Sequence, residues 1–263
     1  GVQYKYVLSY VDDIIIFSAT FEDHLEHIRE ILTRFRQAKL KLSPSKCSFA
    51  LPKVIYLGYL LHRKGMSPTP VLTDTIRMTP VPVTKTNVRS FLGISNFYRR
   101  FIPRYSEIAR PLYDLICKDK PNKVIWTQKC QEAFQTLKNA LTSDSVLAFP
   151  DFNKPFVLAT DTSDTGVVAC LSQKKNGELK PLGYVGRGFT SAEKNYSPTD
   201  KELLAVVYGI QQFKVYLENG SFELHTNHST LKELANTIKL TGRHARWIAF
   251  LQQYKFKVID VQG

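Results

Sequence analysis

The sequence predicts an α/β fold of the α+β kind, with strands and helices grouped along the chain. Three features predict it: short β-branched runs near the start, a proline-punctuated section with helical spacing, and a later series of strand-like runs around one long helix. At 43% hydrophobic, the 263 residues can bury a core, which excludes a disordered chain. No apolar run approaches the roughly 18 residues that a membrane-spanning helix needs, so we expect no membrane partner.

The first predicted element is a hairpin with two acids at its tip. Val7–Tyr10 and Ile14–Phe17 are apolar runs on either side of a turn that contains Asp12 and Asp13. Adjacent carboxylates beside apolar strands are costly unless a cation neutralises them, and their hard oxygen atoms suit Mg²⁺. Asp12 and Asp13 are therefore candidate metal ligands, with a solvated turn as the alternative.

Helical and strand patterns alternate over the next hundred residues. Thr20, with Asp23 three residues later, predicts a helix start, and Val54–Leu61 predicts one or two strands around Gly58. A cluster of prolines then marks a boundary into a helical section. The helices predicted beyond that boundary are 86–97, 105–117 and 128–142.

From Phe156 onward the pattern is that of a mixed sheet with helices packed on it. The strand runs are short and β-branched, and one long helical pattern separates the first three from the rest. The predicted strands are Phe156–Thr160, Gly166–Ser172, Leu182–Gly186, Phe222–Thr226 and Phe256–Val261, and the predicted helices are 198–217, 229–235 and 243–252.

Two acids and an amide lie at element ends in this region. Asp161 follows the first strand, Glu202 lies on the long helix, and Asn227 follows a later strand. In a small mixed sheet, strand ends and an overlying helix can bring such positions together, which makes Asp161 and Glu202 candidate catalytic and metal-binding residues. A strand-end cap for Asp161 and a solvated helix position for Glu202 are the alternatives.

The charge is positive and uneven. Lys and Arg number 36 against 23 Asp and Glu, a formal charge of +13, and residues 1–125 hold 20 of the basic and 10 of the acidic side chains. Residues 76–110 carry seven basic residues against Glu107 alone, interleaved with aromatic residues. This combination is typical of a surface that binds a phosphate backbone and its bases, with a solvated basic helix face as the alternative. The candidate nucleic-acid contacts are Arg89, Tyr98, Arg99, Arg100 and Arg104.

The cysteines indicate a reducing environment. They have neither a C-x-x-C pair nor the density of a disulfide framework. We interpret them as reduced thiols and expect a cytoplasmic protein. The four are Cys47, Cys117, Cys130 and Cys170.

A series of short motifs runs through almost the whole chain. Tyr10-Val11-Asp12-Asp13 resembles the Tyr-x-Asp-Asp box of reverse transcriptases. The segments that follow it are Lys41–Cys47, Tyr56–Tyr59, Arg89–Gly93, Asn96–Pro103, Trp126-Thr127, Leu147–Phe152, Ala159–Asp161 and Thr199–Val206. In this order the motifs resemble the Pol polyprotein of gypsy-type LTR retrotransposons. The ordered series is the specific signal, since each short segment alone could arise by chance.

The resemblance implies three parts. Residues 1–65 would be the C-terminal part of a reverse transcriptase palm, 66–122 a helical thumb or connection, and 123–263 an RNase H-like domain. The implied activities of the parent polyprotein are RNA-directed DNA synthesis and two-metal hydrolysis of the RNA strand of RNA/DNA hybrids.

The resemblance also implies ligands, partners and setting. Asp12, Asp13, Asp161 and Glu202 would bind Mg²⁺, with Mn²⁺ as an alternative ion. The expected partners are an RNA/DNA hybrid, primer-template nucleic acid and other parts of the Pol polyprotein, in the cytoplasm and within the virus-like particle of the parent element. The residues expected near the primer end are Tyr56, Leu57 and Gly58.

The sequence departs from the family pattern at Asn227, where the family has an aspartate in a Thr-Asp-His motif. An amide oxygen brings no negative charge to hold two metal ions, so we expect weakened hydrolysis. A palm carboxylate further upstream and a last RNase H acid further downstream are also missing from these 263 residues, so we expect no polymerisation by this chain alone. The alternative is a catalytically inactive, nucleic-acid-binding remnant of a retroelement.

Overall fold

The computed structural model describes residues 5–226 and 242–261. The chain divides into two compact units, Gly1–Arg63 and Lys64–Gly263. Both contain strands and helices, which confirms the predicted α/β class. Among the described residues, no helix is long and apolar enough to span a membrane.

The first unit consists of two antiparallel hairpins and one long helix. The helix begins at Thr20, as predicted, because its Oγ1 accepts a hydrogen bond from the Asp23 backbone N at 3.1 Å. The first turn is tighter than predicted, since Asp13 already belongs to the second strand and lies opposite Tyr10. The elements are β1 (Val7–Tyr10), β2 (Asp13–Ile16), α1 (Phe21–Gln37), β3 (Lys53–Tyr56) and β4 (Tyr59–His62).

The second unit begins with a short strand and four helices. The helix that starts at Pro70 was not predicted, because the prolines there indicated only a boundary; proline is well accepted in the first helical turn, where its missing N–H has no partner to lose. Thr84 and Asn87 cap the next helix reciprocally, each side chain accepting from the other's backbone N–H at 3.2 Å. The elements are β5 (Gly65–Pro68), α2 (Pro70–Met78), α3 (Lys85–Phe97), α4 (Tyr105–Leu115) and α5 (Gln128–Thr142).

A five-stranded mixed sheet with the strand order β10-β9-β6-β7-β8 forms the rest of this unit. Its strands are β6 (Phe156–Thr162), β7 (Gly166–Lys175), β8 (Glu178–Gly188), β9 (Ser221–Thr226) and β10 (Lys255–Asp260). β6, β7 and β8 are antiparallel, whereas β9 runs parallel to β6 and β10. The described helices are α6 (Pro198–Gln212), α7 (Lys214–Leu217) and α8 (Arg243–Leu251), and the helix predicted at 229–235 lies outside the described residues.

Helix α6 packs on one face of the sheet and builds the core. Gly209 allows the close approach, because a Cβ there would lie 3.0 Å from the Ala169 Cβ and 3.1 Å from the Thr160 Cγ2. Each fully buried aliphatic side chain in this layer contributes about 1.5–3 kcal/mol. Side chains alternate along a strand, so Leu158 and Thr160 face α6 and Asp161 points to the opposite face.

Strand β5 is held against the segment before the sheet. Met66 N donates to Leu147 O at 2.8 Å, and Leu147 N donates back to Met66 O at 2.9 Å. Gly65 adopts φ 147°, and a Cβ there would lie 2.1 Å from the Leu147 carbonyl oxygen. Only glycine fits this position, because both the backbone conformation and the space exclude a side chain.

We predict that Gly65→Ala lowers the free energy of unfolding of the second unit by at least about 1–3 kcal/mol, because the strain and the clash add. Gly93→Ala in α3 is the control: apart from its chain neighbours and the backbone of its own helix, no described atom lies within 4 Å of the added Cβ, and alanine stabilises a helix interior relative to glycine by about 0.5–1 kcal/mol. Urea unfolding followed by circular dichroism measures both. Equal stability of the two variants would contradict the requirement for glycine at position 65.

Candidate nucleic-acid interface and carboxylate sites

The two acids of the first hairpin are exposed and uncompensated. Asp12 lies in the turn after Val11, which has a left-handed φ of 51°, and Asp13 begins β2. Among the described residues, neither carboxylate has a hydrogen-bond or ion-pair partner. Adjacent negative charges without a counter-charge are suited to a divalent cation.

The second hairpin of this unit lies beside those acids. The Tyr56 hydroxyl donates a long hydrogen bond, 3.5 Å, to the Asp13 carbonyl oxygen. Burial and the Asp13 charge both raise the pKa of Tyr56. Leu57 and Gly58 form the tip with φ values of 49° and 81°, a type I′ turn. The structure therefore places the Tyr56 hydroxyl beside the backbone of Asp13, while the roles of both residues stay predictions.

The basic stretch divides into surface and core residues. Arg89 and Arg99 are exposed and Arg100 is half-buried beside β8. Tyr98 is only 4% exposed, and its ring packs 6.0 Å from that of Phe101. The prediction that Tyr98 contacts nucleic acid is therefore corrected: its ring is part of the core and supports the turn that carries the arginines.

A basic cavity of about 430 Å³ lies between α4 and the end of β8. Three exposed cations line it. Among the described residues, the Arg99 side chain donates only to the Asn96 amide oxygen, at 3.3 Å, and the side chains of Arg110 and Lys194 have no hydrogen-bond or ion-pair partner. The lining also contains uncharged and glycine positions: Asn96, Tyr105, Ser106, Tyr113, Thr165, Gly186, Gly188 and Phe189.

A fourth cation at the cavity, Arg187, is already neutralised. Its two terminal nitrogens donate to the Glu193 carboxylate at 2.7 and 2.8 Å, and its guanidinium lies over the Tyr208 ring. The bidentate bond lowers the pKa of Glu193 to about 2 and raises the pKa of Arg187. Arg187 therefore shapes the cavity wall, and the other three cations supply its net charge.

Asp161 is paired with a cation from α4. Arg104 Nη2 donates to Asp161 Oδ2 at 3.0 Å, and the Thr162 backbone N donates to Oδ1 at 2.8 Å. The arginine and aspartate side chains are 47% and 61% exposed. Both carboxylate oxygens thus have donors from the protein.

Glu202 is held on the other side of the same strand end. The Thr162 hydroxyl donates to Glu202 Oε1 at 2.7 Å. Because Asp161 and Thr162 are successive strand residues, their side chains point to opposite faces. The structure places Asp161 and Glu202 at one end of β6 but gives each a separate partner.

The described residues contain no group of three or more His, Cys, Asp or Glu placed to hold a metal ion. Asn227 lies outside the described residues, so its predicted role is not addressed by this geometry. At Asp161, a guanidinium stands where the metal prediction requires a divalent cation, so the side chains described there do not fit that prediction.

Comparisons with known proteins agree with the motif order. The family "Reverse transcriptase (RNA-dependent DNA polymerase)" matches residues 2–61, and "RNase H-like domain found in reverse transcriptase" matches residues 126–224. The Pol polyprotein from transposon 297 of Drosophila melanogaster is 38% identical over 98% of the chain, and that from transposon 412 is 34% identical over 100%. The chain therefore combines a reverse transcriptase segment with an RNase H-like segment and is similar to retrotransposon Pol polyproteins.

Other similar proteins extend this assignment. The Tf2-3 transposon polyprotein of Schizosaccharomyces pombe is 34% identical over 97% of the chain. The chain spans only 24%, 21% and 19% of the lengths of these three curated relatives. The predicted resemblance to a gypsy-type Pol polyprotein is thereby confirmed.

Solved reverse transcriptases have a similar fold. The foamy viral protease-reverse transcriptase in complex with RNA/DNA hybrid has a TM-score of 0.82 at 24% identity, and the match covers 98% of this chain and 36% of that one. The same viral protein with double-stranded DNA has a TM-score of 0.82 at 25% identity, over 97% and 54% of the two chains. These likenesses support the fold, while the division at residues 65 and 122 and the individual residue roles stay predictions.

Three residues of this Pol segment were missed by the sequence reasoning. Arg110 was counted in the basic stretch but not selected, Lys194 lies in a different part of the sequence, and Thr162 looked like an ordinary strand-end residue. Only Arg110 had a usable signal, because it lies in the same positive run as Arg99. The other two matter only through the fold, which places Lys194 at the cavity and Thr162 beside Glu202.

We predict that Glu193 makes the RNase H-like domain more stable above pH 4.5 than at acid pH. Its folded pKa of about 2 lies below the ordinary 4.5, so its stabilisation is complete above 4.5 and is lost as pH falls toward 2. Between pH 5 and pH 3, the wild type should lose about 2 kcal/mol more than Glu193→Gln. Urea unfolding at both pH values measures this. Arg187→Gln should flatten the profile only in part, because the Thr190 backbone N–H also donates to Glu193 and lowers its pKa. Parallel profiles would refute it.

Proposed function

We propose that this chain is a duplex-gripping portion of a retrotransposon reverse transcriptase, which binds RNA/DNA hybrid and primer-template nucleic acid while the Pol polyprotein copies RNA into DNA. The observation that carries the proposal is the cavity between α4 and β8 with its uncompensated cations. Other parts of the polyprotein are the expected protein partners.

The charges around the cavity support a phosphate ligand. Arg99, Arg110 and Lys194 are exposed and have no neutralising acid within the described ranges 5–226 and 242–261, whereas Arg187 is paired with Glu193. Unpaired arginine and lysine side chains around a concave surface attract a polyanion and release counter-ions when phosphates bind. Gly186 and Gly188 also line the cavity, where they add no side chain.

The hairpin acids support a metal-dependent step in the parent polyprotein. Reverse transcriptase and RNase H families are typically dependent on divalent metals. Asp12 and Asp13 are exposed and unpaired among the described residues, so they would hold Mg²⁺, or Mn²⁺ in its place. The ion would supply charge neutralisation for phosphoryl transfer. Tyr56, Leu57 and Gly58 form the adjoining hairpin, which we propose contacts the primer.

Hydrolysis of the RNA strand is proposed only in weakened form. Asp161 and Glu202 occupy family-like positions, but Asn227 removes a negative charge from the motif. The alternative, a catalytically inactive nucleic-acid-binding remnant, keeps the same cavity and differs only in chemistry. We also propose a cytoplasmic setting within the virus-like particle of the parent element, which the four free cysteines support.

We predict that replacing Arg99, Arg110 and Lys194 by Gln weakens hybrid binding and reduces its dependence on salt. Each lost phosphate contact removes about 0.9 from the log–log salt slope, so the slope should fall by roughly 2–3. Fluorescence anisotropy with a labelled RNA/DNA hybrid at several salt concentrations measures both effects.

The matched control removes the same charge from the other end of the sheet. Lys174, Lys175 and Lys180 lie around the turn between β7 and β8, about 30 Å along the strands from the cavity. Replacing these three by Gln should leave most of the slope intact. Equal loss in both triple variants would indicate non-specific attraction by net charge, and an unchanged slope in the cavity variant would refute the proposed interface.

A further inference from the structure

The two acid sites of this chain differ in their counter-charges. Asp12 and Asp13 have no ion-pair partner among the described residues. Asp161 is bound by Arg104 through one carboxylate oxygen and by the Thr162 backbone N–H through the other. A divalent ion at Asp161 would have to displace the guanidinium and would be repelled by it while the two remained close.

Arg104 is placed there by more than a chance surface contact. It is the residue just before α4 and has a left-handed backbone, with φ 54° and ψ 29°. A non-glycine residue persists in this conformation only when its surroundings fix it. The side chain also lies near a second acid: Arg104 Nε is 3.8 Å from Glu107 Oε2, a buried oxygen with no hydrogen-bond partner among the described residues.

Arg104 can reach Asp161 because the two residues lie on the same side of the sheet. Asp161 points away from α6, whereas Thr162 points toward α6 and donates a hydrogen bond to Glu202. The positively charged end of α4 therefore meets Asp161 from one side, and a hydroxyl engages Glu202 from the other. Each carboxylate therefore has a hydrogen-bond donor within the protein, without a metal ion shared between them.

We infer that Arg104 is the built-in cation of Asp161, taking the place of a divalent metal ion. This pairing would turn the weakened hydrolysis proposed above into the inactive alternative, so that the RNase H-like domain of this chain holds a duplex without cutting its RNA strand. The inference rests on the proposed function, because it assigns the domain to duplex binding. The inference adds a cause other than Asn227 for the loss of cutting: the Arg104 guanidinium neutralises the Asp161 carboxylate.

The test measures metal binding directly. The full chain carrying Asp12→Asn and Asp13→Asn is titrated with Mn²⁺, and free Mn²⁺ is followed by electron paramagnetic resonance. Arg104→Gln in this background should bind Mn²⁺ about tenfold more tightly, since it removes one adjacent positive charge. Arg104→Lys, which keeps the charge, should resemble the parent. Adding Asp161→Asn to Arg104→Gln should abolish the gain.

Arg104→Gly provides a second variant, because glycine adopts the left-handed backbone without strain and keeps the comparison available if Arg104→Gln folds poorly. Mn²⁺ binding that already depends on Asp161 in the parent would overturn the inference. So would the absence of any gain in both Arg104→Gln and Arg104→Gly.

Two further measurements separate this inference from the proposed function. Hybrid cleavage in Mg²⁺ by the unaltered chain, lost in Asp161→Asn, would overturn the inference while leaving duplex binding intact. Absence of salt-dependent hybrid binding, with the Mn²⁺ results as expected, would overturn the duplex-gripping function and leave the role of Arg104 standing.

Discussion

The contact of helix α4 with strand β8 positions both the basic cavity and the Arg104–Asp161 ion pair. Gly186 permits this contact: a Cβ there would lie 3.1 Å from Val167 O and 3.3 Å from Ser106 Oγ. On one side of the contact, α4 contributes Arg110 to the basic cavity. At its start, Arg104 reaches Asp161. A shift of α4 by a few ångströms would therefore change the cavity and the carboxylate site together.

Ion pairs within the protein determine which charged side chains remain available to bind a ligand. Arg187 is the cation most firmly fixed at the cavity, yet Glu193 has already satisfied it, so it offers little to an incoming phosphate. Its neighbours Arg99 and Arg110 are less restrained and keep their charge available. The acids differ in the same way: Asp161 is paired with Arg104, whereas Asp12 has no ion-pair partner among the described residues.

Local patterns in the sequence predicted most elements, whereas pairings between distant residues could not be predicted. The strand Val7–Tyr10 and the helix 128–142 agree with the structure because hydrophobic spacing and caps are local signals. Tyr98 was misplaced because an aromatic residue in a basic run looks the same whether its ring is buried or stacks on a base. Arg104 and Asp161 are 57 residues apart, and nothing in either motif indicates that the two side chains meet.

Two acids of the same motif on α6, Asp200 and Glu202, have different structural partners. Asp200 is 8% exposed and accepts hydrogen bonds from Arg243 and from His244 Nε2, which anchor α8. Burial acts to raise the pKa of Asp200, but these hydrogen bonds outweigh it and the pKa lies below its ordinary value. Glu202, only two residues later, points to a different side of the helix, where Thr162 meets it. Within the segment Thr199–Val206, Asp200 thus anchors α8 and Glu202 faces the end of β6. The sequence does not distinguish these two roles, because they depend on the partners that each acid meets in the fold.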